Sequence, residues 1–337
     1  MLEVDGSQGG GQLVRSALTL SMLSGEAVEL DEVRGNRSTP GLKPQHLAAV
    51  ETAADVADAD VEGAEQGSER VTFEPGRIGG GRYEADIGTA GSVSLLFDTF
   101  LPLATRIDEP LSITATGGTD VKWSPPLAYY REVKLPLLRR FGLAAAVEVD
   151  RTGFYPVGGG RATLRLWPSS LSRIDLGSGL SQTGARVYSK AAAELADAEV
   201  AERQAAAATD ALDGLGVETV EHRTTYVATS NPGSVVVVRL DGADSVAGFD
   251  AYGSPGTPAE EVSNRATDPL RRFLGSGAAV DVHLADQLLV FLGLAGGRVA
   301  VPGVSDHLSS SLDLLATFGQ DVSVDDSGPA PVVFADR

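Results

Sequence analysis

Residues 91–168 decide the fold: GSVSLLFDTFLPLA (91–104), LSITATGG (111–118), PPLAYYREVKLPLLRRFG (125–142), AAAVEVD (144–150) and RATLRLWP (161–168). The first and third segments space apolar residues three and four apart, as a helix does, and the others have strand length and composition. The same order stands earlier, in GQLVRSALTLSMLSG (11–25), VELDEVRG (28–35), PGLKPQHLAAVETAADV (40–56), DVEGAE (60–65) and RVTFEPG (70–76). It stands a third time in HLADQLLVFLGLAGG (283–297), RVAVPG (298–303), DHLSSSLDLLATFG (306–319), QDVSVDD (320–326) and APVVFA (330–335). Strands alternating with helices predict three compact α/β subdomains, each too large for a solenoid repeat.

Residues 176–274 fit none of the copies. They predict a long Ala/Glu helix over 190–215, strands in ETVEHRTTYVAT (218–229) and SVVVVRL (234–240), and a helix opening at Pro258 with Thr257 as N-cap. The expected organisation is a large three-repeat domain over 1–175 and 275–337 with a small α/β domain inserted at 176–274.

Composition narrows the chemistry. The 337 residues include no cysteine, which removes thiol catalysis, zinc–thiolate sites and iron–sulfur clusters. No apolar run reaches a membrane span and the N-terminus does not read as a signal peptide, so a cytoplasmic protein is expected. The formal charge is −19, and only four of the 27 basic residues are lysine. Such a surface is similar to that of salt-adapted cytoplasmic proteins, in which molar salt screens carboxylate repulsion to a Debye length of about 3 Å. Screening leaves local basic clusters in charge of polyanion binding. Two stand out: Arg34, Arg37 and Lys43, and the run Lys122, Arg131, Lys134, Arg139 and Arg140.

Four histidines are candidate bases or nucleophiles. His222 alternates along a strand and reads as solvent-facing; His46 sits in a helix and reads as packing. His307 opens a helix behind Ser305 and Asp306, either of which can cap it, with Ser309, Ser310 and Ser311 in the same turn. Free backbone N–H groups there suit a phosphate, and a histidine beside a phosphate can attack phosphorus to give a phosphoramidate. A capping or structural role is the alternative. His283, Asp286 and Gln287 share one face at the start of another helix, as a cap or as a ligand contact. Glycine clusters in DGSQGGGQ, TGGTD and GFYPVGGG mark close backbone approaches or tight turns, and neither a Walker lysine nor a full GxGxxG fingerprint is present.

Six segments in register, DGS…GGGQLVRSALTLSMLSG, RGNRSTPGLKPQHL, IGTAGSVSLL, TGGTDV…SPP, GFYPVGGG and HLADQLL, resemble the RNA 3′-terminal phosphate cyclase family over the whole chain. The resemblance implies three βαβαββ-type units with a smaller α/β domain inserted before the third. It implies ATP and a divalent metal, magnesium or manganese, as cofactors, and RNA with a 3′-terminal phosphate as partner. It implies a reaction in which a histidine attacks the α-phosphate of ATP, AMP passes to the RNA 3′-phosphate, and the 2′-hydroxyl displaces it to leave a 2′,3′-cyclic phosphate. Carried over by position, the nucleophile is His307. The nucleotide contacts are Asp98, His283, Leu284, Ala285, Asp286 and Gln287, with Arg15 and Arg37 at positions facing the phosphates. The basic cluster of Arg34, Arg37 and Lys43 supplies the expected substrate-facing cations. The chain departs from the family where a loop glutamate that helps hold the metal is missing from SQGGGQ. Asp98 stands for a glutamine, and serine stands for an asparagine after His307. The rival readings are a non-catalytic RNA-binding or ribosome-assembly protein on the same fold, which typically lacks that histidine, and an enolpyruvyl transferase, which uses six units.

Overall fold

The structure is a computed structural model that describes residues 1–7 and 9–336. Its first sheet holds β1 (Leu2–Asp5), β2 (Val28–Asp31), β3 (Asp60–Glu62) and β4 (Val71–Glu74), in the order β1-β2-β4-β3. Its second holds β5 (Gly81–Asp86), β6 (Leu111–Gly117), β7 (Ala145–Arg151) and β8 (Gly160–Leu166), in the order β5-β6-β8-β7. After β9 (Ile174–Leu176) come β10 (Gln182–Ala192), β11 (Thr219–Val227), β12 (Ser234–Gly242) and β13 (Val246–Tyr252), ordered β11-β10-β12-β13. The last sheet joins β9 to β14 (Gly297–Ala300), β15 (Ser323–Asp325) and β16 (Val332–Ala335), in the order β15-β16-β14-β9. The first, second and last sheets share one topology: the first two strands in chain order pair in parallel, the fourth lies antiparallel beside the second, and the third closes the edge antiparallel to the fourth. Mixed sheets covered by helices make this an α+β fold.

The helices are α1 (Gly11–Ser24), α2 (Pro44–Ala57), α3 (Val93–Phe100), α4 (Leu127–Tyr129), α5 (Leu135–Arg140), α6 (Val200–Asp213), α7 (Ala259–Phe273), α8 (Val282–Gln287), α9 (Leu289–Ala295) and α10 (Asp306–Thr317). A π turn over Tyr130–Lys134 joins α4 to α5. Helix α1 buries Leu13, Val14, Ala17, Leu18 and Met22 and stops at Gly25, whose φ of 77° suits a residue without Cβ. No described helix is long and apolar enough to cross a membrane.

The valine run 235–238 is continuously apolar because β12 is buried on both faces there. Val235 and Val237 join the core shared by the three similar sheets, while Val236, Val238 and Leu240 join a second core that includes Ala205, Ala208 and Leu212 of α6 and Val262, Ala266 and Leu270 of α7. Two local expectations are corrected here. Residues 190–192 end β10 rather than beginning a helix, because the ladders to β11 and β12 hold them extended, and α6 starts only at Val200. Thr257 does not cap α7: its N-cap is Pro258 without a side-chain bond, and Glu260 and Glu261 supply the negative charge at its first turn.

Candidate active site

Helix α1 starts without a side-chain cap at the edge of an open cavity of about 870 Å³, which leaves N–H groups of its first turn available to a ligand there. Gly10, Gly11 and Gln12 form one edge of that cavity. Glycine is required at position 11, where a Cβ would overlap the His46 imidazole. Arg15 follows one turn along α1, and burial pushes its pKa down to about 10 against the pull of Asp98. Arg34, Arg37 and Lys43 line the same wall. Arg34 is held by the carbonyls of Thr39 and Gly41 at 2.9 and 3.0 Å, which leaves its charge aimed from a fixed position. Unlike the net charge of the chain, this surface is locally cationic.

His46 is buried beneath these cations at 3% exposure. Burial, then Arg15, Arg34 and Lys43, drive its pKa down to about 3, so the ring is neutral. Its Nδ1 accepts the Lys43 backbone N–H at 3.2 Å, and its Nε2 lies 3.3 Å from the Gln45 amide nitrogen. The packing role read from the sequence describes its burial, and its place in the cavity lining is additional.

The opposite wall comes from α8 and α10, and it supplies His283, Asp286, Gln287 and His307. His283 and His307 are exposed, each near the start of its helix. Ser305, not Asp306, caps α10: its Oγ accepts the Leu308 N–H at 3.0 Å. The same hydroxyl donates to Asp286 Oδ1 at 3.2 Å, tying the α8 wall to the turn that carries His307. Burial pushes the Asp286 carboxyl up, and the Ser305 bond opposes that rise. Gln12 reaches across from α1 and donates to Ser311 Oγ at 2.7 Å. Ser310 donates back to the His307 carbonyl at 3.1 Å. The serines expected as extra phosphate donors are therefore partly spent on holding the helix: Ser310 on its own backbone and Ser311, 8% exposed, on Gln12.

The structure thus brings Arg15, Arg34, Arg37, Lys43, Asp98, His283, Asp286, Gln287 and His307 to one cavity. Leu284 and Ala285 are not brought there. Both are buried in the core, because the face of α8 opposite His283 packs inward. Asp98 lines the cavity with its carboxylate already engaged by Lys134 at 2.5 Å. Lys134, from the basic run, also lines the cavity; it is 2% exposed and pairs with Asp98. Arg131 opens onto a neighbouring cleft with Arg151, Arg161, Lys190 and Arg223. Arg139 and Arg140 bond the carbonyls of Ala145 and Ala243.

Sequence reasoning missed Asp281. Buried at 3% exposure, it caps α8 through His283 N–H and Leu284 N–H, and also accepts from Tyr129 Oη and from Gly248 N–H of β13, both at 2.7 Å. The signal was present: an aspartate directly before an apolar helix is a preferred N-cap. It missed Gln45 too, whose Oε1 accepts the Ser92 N–H at 3.2 Å and joins α2 to the second unit.

A divalent metal fits poorly as a protein-built site. Among the described residues no group of three histidine or acidic side chains converges. The two carboxylates of the cavity are committed to Lys134 and Ser305, and Asp5, near the glycine loop, accepts from Ser7 N–H. Gln8, in the loop where the family's glutamate is missing, lies outside the described residues.

Comparison with known proteins identifies the family. A family model described as RNA 3′-terminal phosphate cyclase matches residues 7–323. A protein of Halobacterium salinarum strain R1 named RNA 3′-terminal phosphate cyclase is 45% identical over 344 residues, covering 98% of this chain and 99% of that one. Proteins of the same name from Ectopseudomonas mendocina and Pyrococcus furiosus are 39% and 38% identical, each covering 94% of this chain and 92% and 93% of their own lengths. With one model spanning nearly all of it and relatives matched end to end, the chain belongs to the RNA 3′-terminal phosphate cyclase family.

Proposed function

We propose that this protein uses ATP to convert an RNA 3′-terminal phosphate to a 2′,3′-cyclic phosphate through a covalent histidine–AMP on His307. The observation that carries the reading is the single cavity in which an exposed histidine at a helix start faces a glycine-edged helix N-terminus and four cations, Arg15, Arg34, Arg37 and Lys43. Oriented N–H groups and fixed guanidinium charges stabilise the charge that builds on phosphoryl oxygens in the transition state.

In the first step a ring nitrogen of His307 attacks the α-phosphorus, the bond to the bridging oxygen breaks, and pyrophosphate leaves with the electron pair. The nucleoside end lies toward His283, Asp286 and Gln287. In the second step an oxygen of the RNA 3′-phosphate attacks the same phosphorus, and the P–N bond breaks to return the lone pair to the ring. In the third the RNA 2′-hydroxyl attacks the 3′-phosphorus, loses its proton and expels AMP. Arg34, Arg37 and Lys43 grip the RNA terminal phosphate. In this reading residues 1–175 with 275–337 carry the chemistry, and the insert at 176–274 supports it through the Gly248–Asp281 bond. The acidic, lysine-poor surface supports a salt-rich cytoplasm as the place of action. No step is assigned to a protein-held metal.

The test is incubation with ATP labelled at the α-phosphate. An acid-labile label on the protein, with one pyrophosphate released per label and chase by a 3′-phosphorylated oligonucleotide into cyclic product, is expected. Binding of that oligonucleotide with no label under any divalent ion concentration would overturn the reading in favour of a non-catalytic RNA-binding protein.

A further inference from the structure

At the rim of the cavity stands Trp123, 85% exposed and lining the same space as His307. Its φ of 65° lies in the left-handed region, which a bulky residue adopts only when its surroundings impose it. The surroundings do: Val121 and Ser124 are buried at 3% and 8%, Ser124 Oγ donates to Val121 O at 3.0 Å, and Asp120 N–H donates to Gly153 O at 3.2 Å. Beside Trp123, at 5.8 Å between ring centres and 83° between planes, is Tyr155, itself 46% exposed. Lys122 Nζ lies 5.9 Å from the Tyr155 ring centre.

Tyr155 is as firmly placed as Trp123. Its carbonyl accepts from Asn231 of the insert at 2.9 Å. Its loop turns at Gly158, where φ is 71° and a Cβ would come within 2.8 Å of the Ala90 Cα, between the cavity residues Thr89 and Gly91. Two exposed aromatic rings on anchored backbones beside a lysine, at the mouth of a phosphate-binding cavity, contribute little to the core and match what single-stranded nucleic acid requires.

We propose that Trp123, braced edge-to-face by Tyr155, is a stacking platform for a nucleobase near the 3′ end of the RNA, with Lys122 placed for the adjoining phosphate. The occupant is the polymer: a strand whose terminal phosphate lies inside the cavity must leave across the exposed rim. Stacking reads no base edge, so the platform accepts every base and supplies affinity without sequence preference. This rests on the reading that the RNA 3′-phosphate reaches His307.

The chain has two tryptophans, so W167F leaves Trp123 as the sole indole reporter. In the full-length protein in molar KCl, a 3′-phosphorylated oligonucleotide quenches that emission, and the same oligonucleotide with abasic sites at its last two positions quenches it much less. W123A raises the KM for RNA about 5- to 100-fold, at least fivefold more than it raises the KM for ATP in labelling, and W123F recovers most of the loss. An RNA KM unmoved in W123A, with His307 still labelled, overturns the platform alone. Equal quenching by ATP without RNA also overturns it, by giving the ring to the mononucleotide. Absence of label in the wild-type protein would instead strike the proposed function.

Discussion

The histidine that the first unit contributes to the cavity is buried, whereas the two contributed by α8 and α10 are open to solvent. His46 is sealed at 3% exposure among Arg15, Arg34 and Lys43, and it is neutral because those cations and its burial leave no room for a further charge. His283 and His307 stand exposed near helix starts on the other side. The first wall holds fixed positive charge at fixed positions, a task that favours burial and exact fit. The second must present a lone pair to a phosphorus atom and change its bonding during turnover, a task that requires access. His46 and His307 on one cavity therefore have opposite surroundings because binding and bond-making place opposite demands on them.

The sharpest way to break this division is to exchange the loss. His307→Ala removes the proposed nucleophile, and histidine–AMP should fall by roughly a thousandfold or more. Stability in urea should change by no more than about 0.5 kcal/mol, since the side chain is exposed. His46→Gln should keep a measurable label. Label that persists in the first variant, or maps to His46 or His283 by peptide analysis, would erase the distinction between the walls.

The floor between the walls offers the next largest effect. Lys134 is 2% exposed and Asp98, at 18%, is its counter-ion. Asp98→Ala leaves a buried ammonium unpaired and should cost about 3–5 kcal/mol in urea denaturation at constant molar KCl. The double variant Asp98→Ala with Lys134→Met should recover most of that loss, because a thioether chain of similar length replaces the charge. Additive losses would mean that the pair is not energetically coupled.

These contrasts also explain what the sequence disclosed. The helices and most strands of the three similar units were legible because their apolar periods are regular: β6 alternates along its whole length, buried at Leu111, Ile113, Ala115 and Gly117. By contrast β10, the end of which reads as helix, and β13 were not legible. Nor were the opening strands β1, β5 and β9. LEVD and IDL are too short for a period, and GRYEAD exposes most of its residues, so only pairing with β2, β14 and β6 makes them strands. Within the site, the residues near helix starts were legible because an N-terminus has a local signature. The fates of Leu284, Ala285, Lys134 and the serines after His307 were not, since each depends on what packs against it from far along the chain. Trp123 gave no sign beyond its identity, because exposure is a property of the fold.

The pH response sharpens the comparison further. An unfolded histidine takes up its proton near pH 6.5, and His46 in the fold does so only near pH 3. Between those values the unfolded chain binds the extra proton, so this residue's contribution to stability is lost as pH falls below about 6.5. The urea midpoint of the wild type should decline from pH 7.5 to pH 5, and the decline should be shallower in His46→Gln, although that variant is less stable throughout. Equal slopes over this range would place the ring in contact with water and remove the contrast between the walls.

The smallest effect probes the one hydroxyl that joins α8 to the turn carrying His307. Ser305 both accepts the Leu308 N–H and donates to Asp286. Ser305→Ala leaves that amide without its cap and should cost about 1 kcal/mol, while Ser305→Thr keeps both bonds and most of the stability. Asp286 also loses the donor that fixes its carboxylate and opposes the effect of burial on its proton. If the open wall works as a unit, the KM for ATP should rise severalfold in Ser305→Ala and return toward the wild-type value in Ser305→Thr. A stability loss with no change in that KM would make Ser305 a helix cap and nothing more. The histidine and the nucleotide contacts would then be two independent helix ends that happen to share a cavity, and the open wall could not be described as one surface.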